Sequence, residues 1–100
     1  MLLSMASMKY TFKQVGLDAI KHIRLGGQPV DTRGRIRKEY SGDLDDVSII
    51  TGRRIYVNIV VGGSSASWNL TITYDGKETE IKRPNPRTEN YQIIGQYYSI

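Results

Sequence analysis

Thr11-Phe12-Lys13-Gln14-Val15-Gly16-Leu17-Asp18-Ala19-Ile20-Lys21-His22-Ile23-Arg24-Leu25 is the stretch on which the fold class of this 100-residue chain turns. Thr11 and Gln14 have the spacing of a capping box, in which the Thr hydroxyl accepts from a backbone N–H three residues on and the Gln side chain reaches back. Phe12, Val15, Ala19 and Ile23 recur at steps of three and four; Leu17 and Ile20 widen the stripe, and Lys13, Asp18, Lys21 and Arg24 fall on the other side. That period predicts an amphipathic helix over residues 12–25. Gly16 weakens it by about 1 kcal/mol relative to alanine, and Gly26, Gly27 and Pro29 end it.

From Val47 the period changes to two. Ile55, Val57, Ile59 and Val61 alternate with Arg54, Tyr56, Asn58 and Val60, and Trp68, Leu70, Ile72 and Tyr74 alternate with Ser67, Asn69, Thr71 and Thr73. Both runs read as half-buried antiparallel strands. Thr51-Gly52 marks a tight turn before them, and Gly62 to Ala66 reads as a hairpin loop between them. Asp75-Gly76 suits a type I′ turn that returns Lys77 to Lys82 as a charged edge strand. Pro84 and Pro86 place residues 83–87 in a loop, and Tyr91 to Ile100 forms a last strand in which Gly95 marks a bulge or a close backbone approach.

The expected fold class is therefore α+β: one N-terminal amphipathic helix packed on a four- to five-stranded, mainly antiparallel sheet. A chain of this length holds one domain, residues 1–100, because two cores would each be too small to bury enough surface. Within it, residues 1–8 read as disordered or as an extension, with Met1, Met5 and Met8 as alternative starts. Residues 12–25 read as the helix, 26–46 as a basic loop region and 47–100 as the sheet. The core should hold Phe12, Val15, Ala19, Ile23, Ile55, Val57, Ile59, Trp68, Leu70 and Ile72. Tyr56, Asn58, Val60, Thr71 and Thr73 should share the opposite sheet face, open to water or to a second subunit.

Composition narrows the chemistry. The chain has no cysteine and a single histidine, His22, which excludes disulfides, thiolate nucleophiles, Cys-type zinc sites and His-rich metal sites. No apolar run approaches the roughly 18 residues that a membrane-crossing helix needs. A cytoplasmic, non-enzymatic protein without cofactor, metal or membrane contact is expected, and a homo-oligomer, since a thin core gains from a second copy. The net charge of +4 is local: residues 21–38 carry Lys21, Arg24, Arg33, Arg35, Arg37 and Lys38 against Asp31 alone, a net of +5 that leaves −1 for the rest.

Arg33-Gly34-Arg35-Ile36-Arg37-Lys38 is the principal candidate site. Guanidinium forks match phosphate and carboxylate, and glycine permits close backbone approach. Arg53, Arg54 and Arg87 at strand ends could extend the patch, and Tyr91 and Tyr97 could supply stacking faces. The same residues also suit a solvated loop, soluble strand ends and half-buried sheet positions. Asp43, Asp45 and Asp46 resemble a fragment of a calcium loop without its glycine and distal glutamate, and fit better as compensation for the arginines. Gly62-Gly63-Ser64-Ser65 lacks the lysine and helix of a phosphate cradle. Glu78 and Glu80 lie on one exposed strand face, and His22 has no partner at a catalytic spacing. The expected function is a small non-catalytic module for an anionic ligand, nucleic acid or nucleotide. An acidic protein surface is a further candidate partner, and the alternative is a protein-interaction module or inhibitor of a host protein that uses an exposed sheet face. In size and plan the chain is similar to small accessory proteins of phages and mobile elements, a likeness without a residue motif behind it.

Overall fold

The computed structural model describes residues 3–82 and 91–100, and every regular element in them is a strand. In chain order these are β1 (Leu3–Val15), β2 (Ala19–Leu25), β3 (Gln28–Pro29), β4 (Glu39–Ile50), β5 (Arg54–Gly62), β6 (Ser67–Tyr74), β7 (Lys77–Lys82) and β8 (Tyr91–Ser99). The expected helix over 12–25 is thus replaced by the end of β1, a turn and β2, and the fold is all-β rather than α+β. The likeness of plan to small accessory proteins, which included that helix, lapses with it.

The reason lies in which residues are inward. Met8, Tyr10, Phe12 and Gln14 are all buried on β1, whereas Lys9, Lys13 and Val15 are exposed. That is a period of two extending through the expected helix start. Val15, assigned to the helix core, is 67% exposed. Gly16 has φ +89° and its neighbour Leu17 is buried, so the chain reverses here and re-enters the core through Ile23 and Leu25 on β2. Glycine takes this left-handed conformation without the Cβ penalty, and the β-branched Ile20 and Ile23 suit a pleated surface. Residues 3–8, expected to be an extension, form the first half of β1 and pair with residues 44–50 of β4.

All pairings are antiparallel, in the order β3-β2-β5-β4-β1-β6-β7, with β8 added to β5. β5 has β2 along one edge and β8 along the other, and meets β4 only at Ile50 and Arg54. The sheet therefore falls into two halves, β4-β1-β6-β7 and β3-β2-β5-β8. Phe12, Leu70 and Ile72 of the first half and Ile23, Leu25, Ile55, Val57, Ile59 and Val61 of the second are fully buried. With no helix among the described residues to cover them, the two inner faces cover each other, as in a sandwich. Gln92 links the open side: its Oε1 accepts from Trp68 Nε1 at 2.8 Å and its Nε2 donates to Gly63 O at 2.7 Å.

The Asp75-Gly76 turn has φ values of 53° and 76°, as a type I′ turn requires, and β7 is an edge as expected. Gly62 to Ala66, by contrast, is no hairpin: β5 and β6 do not pair, and the segment carries the chain from one half to the other. β8 keeps continuous register with β5 through Gly95, so that glycine is a close approach and not a bulge; a Cβ there would lie 2.7 Å from Tyr56 Oη. The shared outer face also divides, with Tyr56, Asn58 and Val60 on one half and Thr71 and Thr73 on the other.

Gly26 closes the remaining seam. Its N–H donates to Tyr56 O at 2.8 Å and its carbonyl accepts from Ser48 N at 3.0 Å, which ties β5 and β4 together through the β2–β3 turn. Its φ is +55°, and a Cβ would sit 2.4 Å from Val47 Cγ1 and 2.8 Å from Ser48 O. Gly26→Ala combines a left-handed alanine with overpacking and should lose about 3 kcal/mol or more. Gly76→Ala has a similar φ of +76° and open space around it, and should lose about 1 kcal/mol. Urea midpoints of the two variants check this, and equal losses would contradict the packing at Gly26.

Candidate functional site

The basic segment leaves β3 and enters β4, and both of its ends are fixed. Val30 is buried and its N–H donates to Ile23 O at 2.8 Å. At the other end Gln14, buried on β1, donates through Nε2 to Arg37 O at 2.7 Å, while Gln14 N donates to Lys38 O at 2.9 Å. The same side chain accepts from Leu17 N through Oε1 at 2.9 Å. Arg37 N donates to the buried Tyr40 hydroxyl at 2.8 Å, and the Arg37 guanidinium lies 4.6 Å from the centre of the Tyr40 ring. Burying a glutamine is tolerable only because both ends of its amide are bonded. The stretch expected as a basic loop region over 26–46 is thus a short strand, a crossing segment tied at both ends, and the start of β4.

Arg33, Arg35 and Arg37 line one open surface hollow of about 480 Å³ with Asp31 and Gly34. A second hollow of about 440 Å³ adjoins it through Asp31 and Arg33 and is lined by Lys21, His22 and Arg24 of β2. Five cations therefore surround two adjoining hollows whose only carboxylate among the described residues is Asp31. Arg33 is engaged by it: Nε and Nη2 donate to Oδ1 and Oδ2, each at 3.0 Å, and the Arg33 N–H adds a third bond at 3.1 Å. Those bonds hold the Asp31 carboxyl down to about 2 and raise Arg33 above its ordinary value. Among the described residues Lys21, Arg24, Arg35, Arg37 and Lys38 have no carboxylate within ion-pair distance. The Tyr10 hydroxyl beneath the segment is pushed up, first by burial and then by Asp31.

The other candidates scatter. Glu39 at the start of β4 pairs with Lys13 of β1, and Ile50 at its far end pairs with Arg54. Arg53 and Arg54 stand at that far end and line neither hollow, though Arg24 of β2 pairs with Asn58, four residues along β5 from Arg54. There Arg53 meets Asp75 at 3.7 Å and lies 5.0 Å from the Tyr74 ring; Arg54 lies 5.9 Å from the Tyr97 ring. Tyr97 stands edge-on to Tyr56 with ring centres 5.1 Å apart. Tyr91 stays near the basic cluster, with Lys21 Nζ 5.9 Å from its ring centre. Lys38 is exposed and adjoins the cluster. Arg87 lies outside the described residues.

Lys21 and Arg24 are the site residues that sequence reasoning missed, because a helix turned them to an unrelated solvent face. The alternation of Arg24 between Ile23 and Leu25 was the available signal. Asp43, Asp45 and Asp46 are strand residues of β4 beside a bulge and do not form a loop; Asp45 accepts from Ser7 Oγ at 2.7 Å, and among the described residues none of the three pairs with an arginine. Among the described residues no group of three His, Asp or Glu side chains could hold a metal ion. His22 Nε2 faces Asn58 Oδ1, an amide and not a nucleophile. Gly63 packs against Gly16 and Leu17, and its carbonyl is taken by Gln92, so the glycine pair serves the crossing between halves. No helix of the described residues is long and apolar enough to cross a membrane. No family model, curated protein or solved structure matches this chain.

The low Asp31 value carries a sign. A carboxyl depressed in the folded state contributes stability that is complete above its unfolded value near 3.9 and disappears as pH falls through about 2. Carboxyl carbon resonances followed by NMR should show Asp31 titrating near 2 in the wild type and rising toward 3.9 in Arg33→Gln. An unchanged midpoint in the variant would contradict the fork between these side chains.

Proposed function

We propose that this chain is a non-catalytic module that binds single-stranded nucleic acid through its phosphate backbone. The observation that carries the proposal is the convergence of Lys21 and Arg24 of β2 with Arg33, Arg35 and Arg37 of the crossing segment around two joined hollows that contain one carboxylate. Convergence of like charge on one surface costs stability through self-repulsion, and an anionic partner relieves it. Anchorage of the segment by Gln14, Tyr40 and Val30 means that little ordering is lost on binding.

The shape favours a polymer over a small nucleotide. A nucleotide site encloses most of its ligand, whereas both hollows are open and lie side by side, which suits successive phosphates. Tyr91 is half exposed beside Lys21 and offers a face on which a base can stack. Guanidinium groups at this spacing read charge, not base sequence, so weak sequence preference is expected.

Counterion release tests the proposal. With Arg33 held by Asp31, four cations remain for phosphate, and the slope of log K against log salt for a short oligothymidine should be about −2.8. Arg35→Ala with Arg37→Ala should halve it to about −1.4, and Asp31→Asn should steepen it to about −3.5 by releasing Arg33. Fluorescence anisotropy across a salt series reads all three. Absence of binding at low salt, or a slope that the double variant leaves unchanged while its circular dichroism is intact, would overturn the proposal.

A further inference from the structure

The two outermost long strands differ in chemistry. β7 carries Lys77, Glu78, Glu80 and Lys82 among its six residues, the kind of charge that keeps an edge from pairing with another chain. β8 reads Tyr91-Gln92-Ile93-Ile94-Gly95-Gln96-Tyr97-Tyr98-Ser99, nine residues with no charge and no proline. It pairs with β5 along one side only, and among the described residues nothing pairs with its other side. Ile93 is 72% exposed, and Tyr91, Tyr97 and Tyr56 beside it are 50%, 48% and 40% exposed.

From this we infer that β8 is the interface of a two-fold homodimer, in which β8 of one copy pairs antiparallel with β8 of a second. The strand matches itself. Centred on Gly95, the pairing sets Ile93 against Tyr97 and Tyr91 against Ser99 across the two-fold axis, so that each outward apolar group meets an aromatic or a small neighbour. Gly95 leaves room at the axis for the Tyr56 hydroxyl, which already lies over it. An uncharged strand is complementary to another uncharged strand, and the two cations beside it, Lys21 and Arg54, lie against the rings of Tyr91 and Tyr97 toward its two ends. In the dimer the sheet would run β2-β5-β8 and then β8-β5-β2 of the second copy, which sets the two β2 strands about 24 Å apart. Nucleic-acid binding is not required for this pairing, and the dimer stands or falls without it.

Sedimentation equilibrium without oligonucleotide tests the interface. The wild type should sediment at twice the chain mass of 11.3 kDa at tens of micromolar. Ile93→Lys places a charge at an exposed position, twice per dimer by symmetry, and should weaken association at least tenfold with an unchanged circular dichroism spectrum. Lys82→Ala on the other edge should leave association unchanged. A wild type that stays monomeric, or an Ile93→Lys protein that remains as dimeric as the wild type, would overturn the inference. Loss of the dimer with oligothymidine affinity retained separates it from the proposed function.

Discussion

The buried amide of Gln14 is the constraint on which the arrangement of this molecule depends. It stands on β1, and its partners belong to two different stretches of chain: Leu17 in the turn to β2, and Arg37 together with, through the backbone, Lys38 at the end of the crossing segment. Leaving either end of that amide unbonded in the interior would cost about 1–3 kcal/mol. The turn and the segment therefore hold their places together. Each is required to satisfy the glutamine, and the glutamine in turn satisfies polar backbone groups that neither could pair alone.

Everything basic follows from that knot. Reversal at Gly16 and Leu17 sends the chain back as β2 and turns Lys21 and Arg24 to the outer face, while the tie at Arg37 and Lys38 draws the arginine segment down beside them. Charges that stand up to sixteen residues apart in sequence, Lys21 and Arg37, come to line adjoining hollows without any direct bond between them. The core beneath is apolar and self-covering, so the surface is free to carry a concentrated field at one end. Outside the two hollows, Arg53 and Arg54 are occupied by Asp75 and by the rings of Tyr74 and Tyr97. The two groups of arginines thus have different partners although composition makes them look alike.

Much of the sheet was legible from residue 47 onward, because Ile55 to Val61 and Trp68 to Tyr74 alternate cleanly and Asp75-Gly76 specifies its turn. The first half was not, and the cause is again Gln14. An inward position filled by a polar residue interrupts the alternation Met8, Tyr10, Phe12, and the steps of three and four from Phe12 to Ile23 then imitate a helical stripe. The buried amide is tolerable there because its Oε1 accepts from Leu17 N and its Nε2 donates to the carbonyl of residue 37, and the second, long-range partner is not visible locally. The local charge of residues 21–38 was legible, and Arg33, Arg35 and Arg37 do line one hollow. Their company on β2 was hidden by the same misassigned helix.

Amide hydrogen exchange at Leu17 and Arg37 measures the knot most directly, since both N–H groups lie outside the strand ladders and are bonded only to side chains, Gln14 and Tyr40. Both should be strongly protected in the wild type, and in Gln14→Met the Leu17 amide should exchange far faster while the amides of β6 retain their protection. Exchange of the Leu17 and Arg37 amides at the rate of an unstructured peptide in the wild type would show that the turn and the basic segment are not held together, and the account given of this molecule would fail.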